Sequence, residues 1–484
     1  MARIMMAGNE LYDMFSEGWT VFAGAPTVAV NQPGGRRTLQ GNGGKHYYYL
    51  DASTGLFQIG KLLPNLATGP ATGGYTEVYG RFAYFSAQTT AKTMFTLRNS
   101  NTGLIVGTIR MLDLGNPNCR LQVWNGSGPT LLVNDAVATN FVTGGSATGN
   151  FTRVEFHFKC AASGGIWEVW VDDVLRISNS SLNTANGTTV VFDQILIGQQ
   201  EATTETNYYD DIAINDLTGT VNNGRVGEGV IIALWPTRQG TFNDLVNTFN
   251  TTKESYDHVN RPVTAYIDPK NNSLYVGTNT PGTKSTFQVN GLPAEFGGIS
   301  AVKPVLNTVR NGAALTNVKT LLEPGVTVPL TAPTGALAAG GAATPGAHEF
   351  VAVNKIGTGY SLPSPVSATF TTTGPNATVN LTVPVSLDPR VTAREVYASK
   401  AGLPGTYYLV GTIPDNVTTA FSFAIADGSF GTLTQPVEMA SANLLLPNGG
   451  FGYVENIYDK NPTTGLAWTH DEIETIEVGL QFNT

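Results

Sequence analysis

The chain has 484 residues, of which only 13% are charged, and its formal net charge at pH 7 is −9. This length exceeds what one hydrophobic core usually organises, so two to four domains are expected. The acidic balance argues against a nucleic-acid partner, because phosphate binding needs a basic surface. The 55 glycines punctuate a sequence that is 41% hydrophobic, a composition typical of a turn-rich all-β protein with ordered cores.

Membrane insertion and disulfide bonding are not expected. No apolar run approaches the length of a membrane span. The first six residues are too short for a signal peptide, so the chain is expected to be soluble and made in a cytoplasm. The two cysteines, Cys119 and Cys160, fall on apolar faces of predicted strands, which favours buried thiols over a disulfide bridge.

Residues 1–218 form a succession of predicted strands separated by turn residues. Residues 92–97 and 104–112 predict a hairpin around the turn at 99–103. Many antiparallel strands with one polar face each indicate a two-sheet sandwich, because the apolar face of a sheet must be buried on another layer.

One strand in this region, residues 151–160, alternates cleanly. Val154, Phe156 and Phe158 are predicted to face a core. The residues between them are predicted to face water: Arg153, Glu155, His157 and Lys159.

The last strand of this region, residues 207–216, has an unusual pattern. Simple alternation places Tyr208, Asp210, Ile212 and Ile214 on one face, so a carboxylate lies in line with an apolar row. Either Asp210 is buried and hydrogen-bonded, or the face reaches solvent there. We take this strand as the closing strand of the first domain.

The order of these strings resembles concanavalin A-like (laminin-G-like) jelly-roll domains. The strings that carry the resemblance are residues 151–158, Trp167-Glu-Val-Trp-Val-Asp-Asp-Val, Gln194-Ile-Leu-Ile-Gly198 and residues 208–216. The run Asp210-Asp-Ile-Ala-Ile-Asn-Asp216, followed by a predicted strand at 229–236, is similar to a family of virion proteins of tailed bacteriophages. The resemblance covers about the first half of the chain and implies a jelly-roll sandwich there.

Residues 219–330 predict a second β-region. Phe242, Leu245, Val246 and Phe249 follow i, i+3, i+4, i+7 spacing and allow a short helix. Strands are predicted at 263–267, 273–276 and 285–289, and a long one near 298–310.

Residues 331–346 are rich in Ala, Gly, Pro and Thr and predict a linker that leads into a third region. The strands that follow are spaced like a seven-strand sandwich of ~100 residues. This block resembles a fibronectin-III/immunoglobulin-like module that is common in phage structural proteins. The resemblance rests on Ser364-Pro365, residues 388–394, Ala401-Gly402, residues 407–410 and residues 415–419.

Residues 436–484 are too few for a core of their own. They end in a strand whose apolar side is Ile476, Val478, Leu480 and Phe482. Thr469-His-Asp-Glu472 has the spacing of a capping box and predicts one helical turn. We therefore predict an all-β, multi-domain chain. Its domains are a concanavalin A-like jelly roll (1–218), a discontinuous second β-sandwich (219–330 plus 436–484) and an inserted immunoglobulin/fibronectin-III-like sandwich (331–435).

Among the acidic pairs, Asp210 and Asp211 are the candidate metal ligands. They could bind Ca²⁺ at the rim of a lectin-like sandwich, because that cation prefers several carboxylate and carbonyl oxygens. The alternative is that their carboxylates accept hydrogen bonds from loop amides. Asp172 and Asp173 are typical of a hairpin turn. No other cofactor is expected.

Catalytic motifs are missing from the sequence. It lacks the Glu-x-Asp-x-x-Glu string of glycoside hydrolases on this fold, a Gly-x-Ser-x-Gly elbow and zinc spacing among its five histidines. We therefore expect that the chain is not an enzyme.

The candidate carbohydrate-binding residues are aromatic. Trp124, Trp170 and Tyr48 could stack on sugar rings, whereas the alternative is ordinary packing within the sandwich. Trp167 and Trp170 are three residues apart, which places them on opposite faces of a strand.

Two functions from different classes follow. The first is a structural component of a tailed-phage virion, a capsid-decoration or tail-associated protein that self-associates as a homo-oligomer and docks on other virion proteins. The alternative is a receptor-recognition protein of the phage tail that binds host-surface glycans. In both cases the protein is assembled in the bacterial host cytoplasm and resides in the virion.

Overall fold

A computed structural model of the chain confirms the all-β class, because almost every regular element in it is a strand. The chain divides into two compact units, Met1–Ala233 and Leu234–Thr484. The residues that the structure describes are 3–7, 19–23, 48–51, 57–63, 74–86, 91–114, 118–126, 130–140, 151–201, 206–218, 220–229, 231, 234, 236–247, 276–278, 280–289, 291–292, 298–308, 315–357, 359–374, 377–437, 439–441, 443–446, 452–461 and 466–484.

The first unit is built from fifteen described strands in two antiparallel sheets. The strands are β1 (Arg3–Ala7), β2 (Thr20–Ala23), β3 (Tyr48–Asp51), β4 (Phe57–Leu62), β5 (Glu77–Ser86), β6 (Lys92–Arg98), β7 (Ile105–Asp113), β8 (Asn118–Asn125), β9 (Thr130–Asn134), β10 (Thr139–Asn140), β11 (Thr152–Lys159), β12 (Gly165–Val171), β13 (Val174–Leu182), β14 (Gln194–Gln199) and β15 (Thr206–Asn215). One sheet, here called the β15 sheet, has the order β1-β15-β5-β11-β12-β13, with β3 also paired to β15. The other, the β7 sheet, has the order β10-β8-β7-β6-β14-β4-β2, with β9 also paired to β8.

The two sheets share one hydrophobic core. Phe82 and Phe156 of the β15 sheet meet Phe95 of the β7 sheet, with ring centroids 5.2 Å and 4.9 Å from Phe95. A Cβ on Gly107 would lie 2.8 Å from Trp167, so a side chain at position 107 would collide with that ring. The first unit is therefore a β-sandwich whose remaining sheet faces point away from the core.

Two predicted turns of this unit are confirmed. Strands β6 and β7 form the hairpin expected at 92–112. Asp172 and Asp173 connect β12 to β13 with φ values of 45° and 69°. Positive φ at both central residues is the type I′ conformation, which matches the twist of a two-residue hairpin.

Within its described residues, the second unit contains a 3-10 turn at Asp427–Ser429, together with the remaining strands and one short α-helix. They are β16 (Pro236–Asn243), β17 (Val246–Asn247), β18 (Val276–Gly277), β19 (Lys284–Val289), β20 (Val305–Thr308), β21 (Asn317–Pro324), β22 (Thr334–Ala338), β23 (Gly346–His348), β24 (Phe350–Ile356), β25 (Gly359–Tyr360), β26 (Phe370–Thr372), β27 (Thr378–Thr382), β28 (Ala393–Lys400), β29 (Leu403–Ile413), β30 (Ala420–Phe423), β31 (Met439–Ala440), β32 (Leu444–Leu445), β33 (Gly452–Glu455), α1 (His470–Thr475) and β34 (Ile476–Asn483).

The final strand, β34, pairs with both β19 and β21 in a sheet of order β16-β19-β34-β21-β31, with β32 also on β21. Strands β22 to β30 pair only among themselves in the described residues, in sheets β22-β27-β30, β25-β24-β28-β29 and β23-β26. Phe350, Val379 and Val396 pack in one core between the first two of these sheets. The exact three-domain division stays a prediction.

Three expectations for the second unit need correction. The helix allowed at 242–249 is wrong, because β16 runs to Asn243 against β19 and residues 246–247 pair with β18. Pairing with neighbouring strands outweighs the local apolar spacing. The expected linker at 331–346 contains β22, which pairs with β27. The long strand expected near 298–310 is reduced to β20, and the strand predicted at 263–267 lies outside the described residues.

The helical turn predicted near the end of the chain is confirmed as α1. Thr469 caps it, since its Oγ1 accepts from the Glu472 N–H at 3.3 Å while the Thr469 N–H donates to Glu472 Oε2 at 2.8 Å. This is the reciprocal capping box. Within the described ranges, no helix is long and apolar enough to cross a bilayer.

Both cysteines are buried thiols, as predicted. Burial raises the pKa of Cys160 to about 12, and the thiolate is the reactive form.

We therefore expect that neither thiol of the native protein reacts with Ellman's reagent at pH 8 within minutes. Both thiols should react after the protein is denatured in guanidinium chloride. A fast native reaction of one or two thiols would contradict the burial of these strands.

Candidate functional site

The predicted site residues lie on two different sheets, so the structure does not gather them into one site. Trp124 points outward from β8 in the β7 sheet. Trp170 points outward from β12 in the β15 sheet, while Trp167 is fully buried in the core, as their spacing predicts. Asp210 and Asp211 lie in β15, and the Tyr48 backbone pairs in β3 with Tyr209.

A β-bulge explains the unusual pattern of β15. The register with β5 shifts between Asp210 and Ala213, and Asp211 has a φ of 50°. One extra residue reverses the alternation, so Ile212 and Ile214 join the core while Asp210 points away from it. The expectation that Asp210 shares a face with both isoleucines is therefore wrong.

The contacts of the two aspartates match the alternative to a metal site. Asp210 Oδ1 accepts from the Asp211 N–H at 2.8 Å. Asp211 Oδ1 accepts from the Ile231 N–H at 2.7 Å, and Arg81 Nε donates to the Asp211 carbonyl at 3.1 Å. In the described part of the chain, no group of three or more His, Cys, Asp or Glu residues is arranged to hold a metal ion. Calcium binding stays a prediction.

Residues 220–229 and 231, here called the covering segment, lie over the outward face of the β15 sheet. Glu155 of β11, which is 1% exposed, is the centre of the contact. Its carboxylate meets Arg225 Nη2 at 2.8 Å, the Gly227 N–H at 2.9 Å and Arg153 Nε at 3.0 Å. Hydrogen bonds from Arg225 and Gly227, together with the ion pair to Arg153, offset the cost of burying this carboxylate.

Further hydrogen bonds secure the covering segment to the sheet. Asn215 Nδ2 donates to the Gly224 carbonyl at 2.9 Å, and Arg81 Nη1 donates to the Gly227 carbonyl at 3.0 Å. The Arg225 guanidinium lies 4.7 Å from the centre of the Trp170 ring. One face of Trp170 is therefore occupied by the protein's own arginine, in a cation–π contact.

These contacts correct the prediction that alternate residues of β11 face water. Arg153, Glu155 and His157 are 2%, 1% and 6% exposed. His157 is covered locally: its ring nitrogens lie 2.8 Å from Glu77 and 2.9 Å from Glu168, and its ring stacks on that of Tyr79 at 4.1 Å.

The outward face of the β7 sheet has a different character. Its central residues Thr96, Thr108 and Leu196 are almost fully buried although they point away from the core, so the centre of this face is shielded from solvent. Polar and aromatic side chains surround it on the neighbouring strands. The outward residues are Gln58 and Gly60 of β4, Gln194 and Leu196 of β14, Thr96 and Arg98 of β6, Thr108 and Arg110 of β7, and Arg120, Gln122 and Trp124 of β8.

Trp124 is held in a defined orientation on this face. Its indole Nε1 donates to Gln122 Oε1 at 3.2 Å, and Gln122 Nε2 donates to Asn134 Oδ1 at 2.6 Å. The Arg110 guanidinium lies 5.0 Å from the ring centre. The indole remains half-buried, so it presents a fixed, partly accessible aromatic surface.

Arg110 is positioned in turn by Glu201. Its Nη2 lies 2.7 Å from Glu201 Oε1. The same carboxylate accepts from the Thr93 N–H at 2.7 Å and from Thr93 Oγ1 at 2.9 Å. Arg110 is therefore held by its ion pair with Glu201, and Thr93 of β6 holds the Glu201 carboxylate in place.

Three buried polar atoms of this face have no hydrogen-bond partner among the described residues. They are Arg110 Nε, Arg120 Nε and Gln58 Nε2. Gln58 is 4% exposed. A buried donor without a partner is costly, so a bound polar ligand would supply acceptors that the described residues lack.

The sequence predictions named Trp124 but missed Arg110, Gln122, Arg120 and Gln58. The signal was present as outward-facing polar residues at spacing two, Arg120-x-Gln122-x-Trp124 on β8. It could be interpreted only once the register placed Gln122 opposite Arg110.

No protein-family model matches the chain, and no curated protein matches it. Solved structures do match, and two come from phages. The CBM2 module of the evolved Dit protein of Lactobacillus casei BL23 phage J-1 matches with a TM-score of 0.30 and 11% identity, over 44% of this chain and 95% of that one. A carbohydrate esterase of the Shiga toxin-encoding bacteriophage phi24B matches with a TM-score of 0.30 and 11% identity, over 44% of this chain and 97% of that one.

A third match is the cellulose-induced protein Cip1, with a TM-score of 0.29 and 15% identity, over 44% of this chain and 94% of that one. Likenesses at this level carry no argument about the activity of this chain.

The prediction that the chain is not an enzyme was wrong. The matching structures include the esterase and an alginate lyase, the latter with a TM-score of 0.27 and 10% identity over 36% of this chain and 82% of that one. Enzymes are thus among the proteins that match this chain, and the missing sequence motifs do not exclude catalysis. We withdraw the exclusion and assign no reaction.

The covering segment provides a stability test. Arg225→Ala removes one partner of the buried Glu155, and we expect the free energy of unfolding to fall by about 2 kcal/mol, less than the loss of a whole buried pair because Arg153 and Gly227 remain. Urea unfolding measures this change, and a Glu-specific protease should cleave faster after Glu228. The exposed Arg238→Ala is the matched control. Equal stability of both variants would contradict the role of Arg225.

A second test uses pH. Hydrogen bonds from Arg153 and Arg225 hold the pKa of Asp173 below its ordinary value. The resulting stability is present above the unfolded-state pKa, near ~3.9, and is lost as pH falls through the lower folded-state pKa. Asparagine tolerates the positive φ at position 173. Asp173→Asn should therefore lower the free energy of unfolding at pH 7 by at most about 1 kcal/mol, as for an exposed ion pair. Unfolding curves should show this difference shrinking below pH 4, and a difference that grows on acidification would refute it.

Proposed function

We propose that this chain is an accessory protein of a tailed-phage virion and that its first unit binds glycans on the outward face of the β7 sheet. The observation that carries the glycan part is the site around Trp124. It combines an oriented, half-buried indole with the buried Nε donors of Arg110 and Arg120, which have no partner among the described residues. Sugar recognition by proteins needs this combination of an apolar platform and directed hydrogen bonds.

The arrangement of the two sheet faces favours this location. The covering segment occupies the outward face of the β15 sheet, and Arg225 covers one side of Trp170. The β7 sheet carries Trp124 beside Arg110 and Gln122. Both tryptophans are half-buried and each has an arginine over one side of its ring. Trp124 is favoured because Gln122 orients its indole and because Arg110 Nε and Arg120 Nε on the same face have no partner among the described residues.

The virion location rests on the sequence resemblance of residues 210–236 and 364–419 to phage structural proteins. In this setting the first unit would contact glycans of the host surface, and the second unit would dock the protein to other virion proteins. Head and tail locations are both compatible with this assignment.

A structural role through self-association is the second candidate, and one observation favours it. Leu387 and Val417 are 89% and 79% exposed on two neighbouring loops. The loops are fixed together, since Ser386 N–H donates to Asn416 Oδ1 at 2.8 Å and Asn416 Nδ2 donates to the Ser386 carbonyl at 2.9 Å. Exposed apolar side chains on a fixed loop pair are typical of a docking surface.

A glycan array with the full chain tests the proposed function. We expect at least one class of oligosaccharide to bind, and Trp124→Ala to weaken that binding about tenfold, since loss of a stacked ring costs about 1.4 kcal/mol. Trp170→Ala is the matched control on the other sheet and should retain binding. An array without any binding, or equal losses in both variants, would refute glycan recognition at Trp124.

A further inference from the structure

On the outward face of the β7 sheet, the buried polar atoms without a partner in the described residues are all of one kind. The three buried polar atoms without a partner in the described residues, Arg110 Nε, Arg120 Nε and Gln58 Nε2, are all donors. The buried acceptors nearby are used: Gln122 Oε1 accepts from Trp124, and Gln194 Oε1 accepts from Arg98 at 2.7 Å. A ligand that completes this face must bring acceptors.

The charged residues of this face also favour a ligand that brings acceptors. Arg98, Arg110 and Arg120 project outward from adjacent strands, and Glu201 is the carboxylate described among them. Glu201 is already engaged by Arg110 and by Thr93. Arg120 forms no ion pair within the described ranges, and its half-buried guanidinium is positioned to accept an anionic group.

Spacing sets the size of the ligand. Arg120 and Trp124 lie on the same side of β8, four residues apart, which is roughly 13 Å along a strand. Arg110 lies between them on β7, diagonal to both, because it is opposite Gln122. A single sugar ring cannot contact both Trp124 and Arg120, so several linked sugars are needed.

We infer that the ligand of this face is an acidic oligosaccharide, with one sugar stacked on Trp124 and an acidic group of a later sugar bound by Arg120 and by Arg110 Nε. This inference rests on the proposed glycan-binding function and specifies its substrate class. Because Arg110 is already paired with Glu201, Arg120 provides most of the preference for acidic over neutral oligosaccharides.

The test uses matched pairs of oligosaccharides that differ only in charge, such as hexamers of polygalacturonate, polymannuronate and polyguluronate and their methyl esters. Binding to the full chain is measured by calorimetry at low and moderate salt. We expect at least one acidic hexamer to bind tenfold or more tightly than its ester and to lose affinity as salt is raised. Arg120→Gln should remove this preference while leaving ester binding within about twofold, and the exposed Arg238→Gln should change neither. Circular dichroism and unfolding curves establish that each variant is folded.

The outcomes separate the two proposals. In one outcome, neutral glycans bind, Trp124→Ala loses this binding, and no acidic oligosaccharide binds more tightly than its ester. This outcome would refute the acidic ligand and leave the proposal of glycan binding intact. An acidic preference that survives Arg120→Gln in a folded variant would refute the assignment to Arg120. If no glycan of either kind binds, both proposals fail.

Discussion

A buried carboxylate, that of Glu155, secures the covering segment to one outward face of the first unit. Placing an ionised carboxylate at 1% exposure is unfavourable unless strong donors surround it. The chain supplies them from β11 itself and from the covering segment, through Arg153, Arg225 and the Gly227 N–H. The same contacts place Arg225 over Trp170. The outward face of the β15 sheet is thus closed by the protein's own chain.

The outward face of the β7 sheet carries a different set of side chains. Its outward side chains are fixed by hydrogen bonds, as Trp124 is by Gln122 and Arg110 is by Glu201, yet buried donors remain without partners in the described residues. Fixed groups lose little conformational entropy when a ligand binds. The proposed ligand would therefore contact the part of this face on β7 and β8, where Trp124, Arg110 and Arg120 are half-buried, and not its buried centre.

Much of the fold could be predicted from the sequence because it depends on local patterns. The all-β class, the hairpin at Asp172-Asp173 and the capped helix α1 all follow from alternation, turn residues and capping spacing. The bulge at Asp211 could not be predicted, because one inserted residue reverses the faces without changing the composition. The burial of Glu155 was also missed, since its partner Arg225 lies 70 residues later in the chain. For the site, sequence identified Trp124, whereas Arg110 and Gln122 required the β7–β8 register.

The central claim is that the first unit recognises an oligosaccharide on the outward face of the β7 sheet. A crystal structure of the full chain with a bound oligosaccharide tests it most directly. The account predicts electron density for linked sugars across β7 and β8, with one ring stacked on Trp124 and ligand oxygens within hydrogen-bond distance of Arg110 Nε or Arg120 Nε. A ligand bound over the β15 sheet near Trp170, with the covering segment displaced and the Trp124 face empty, would contradict it.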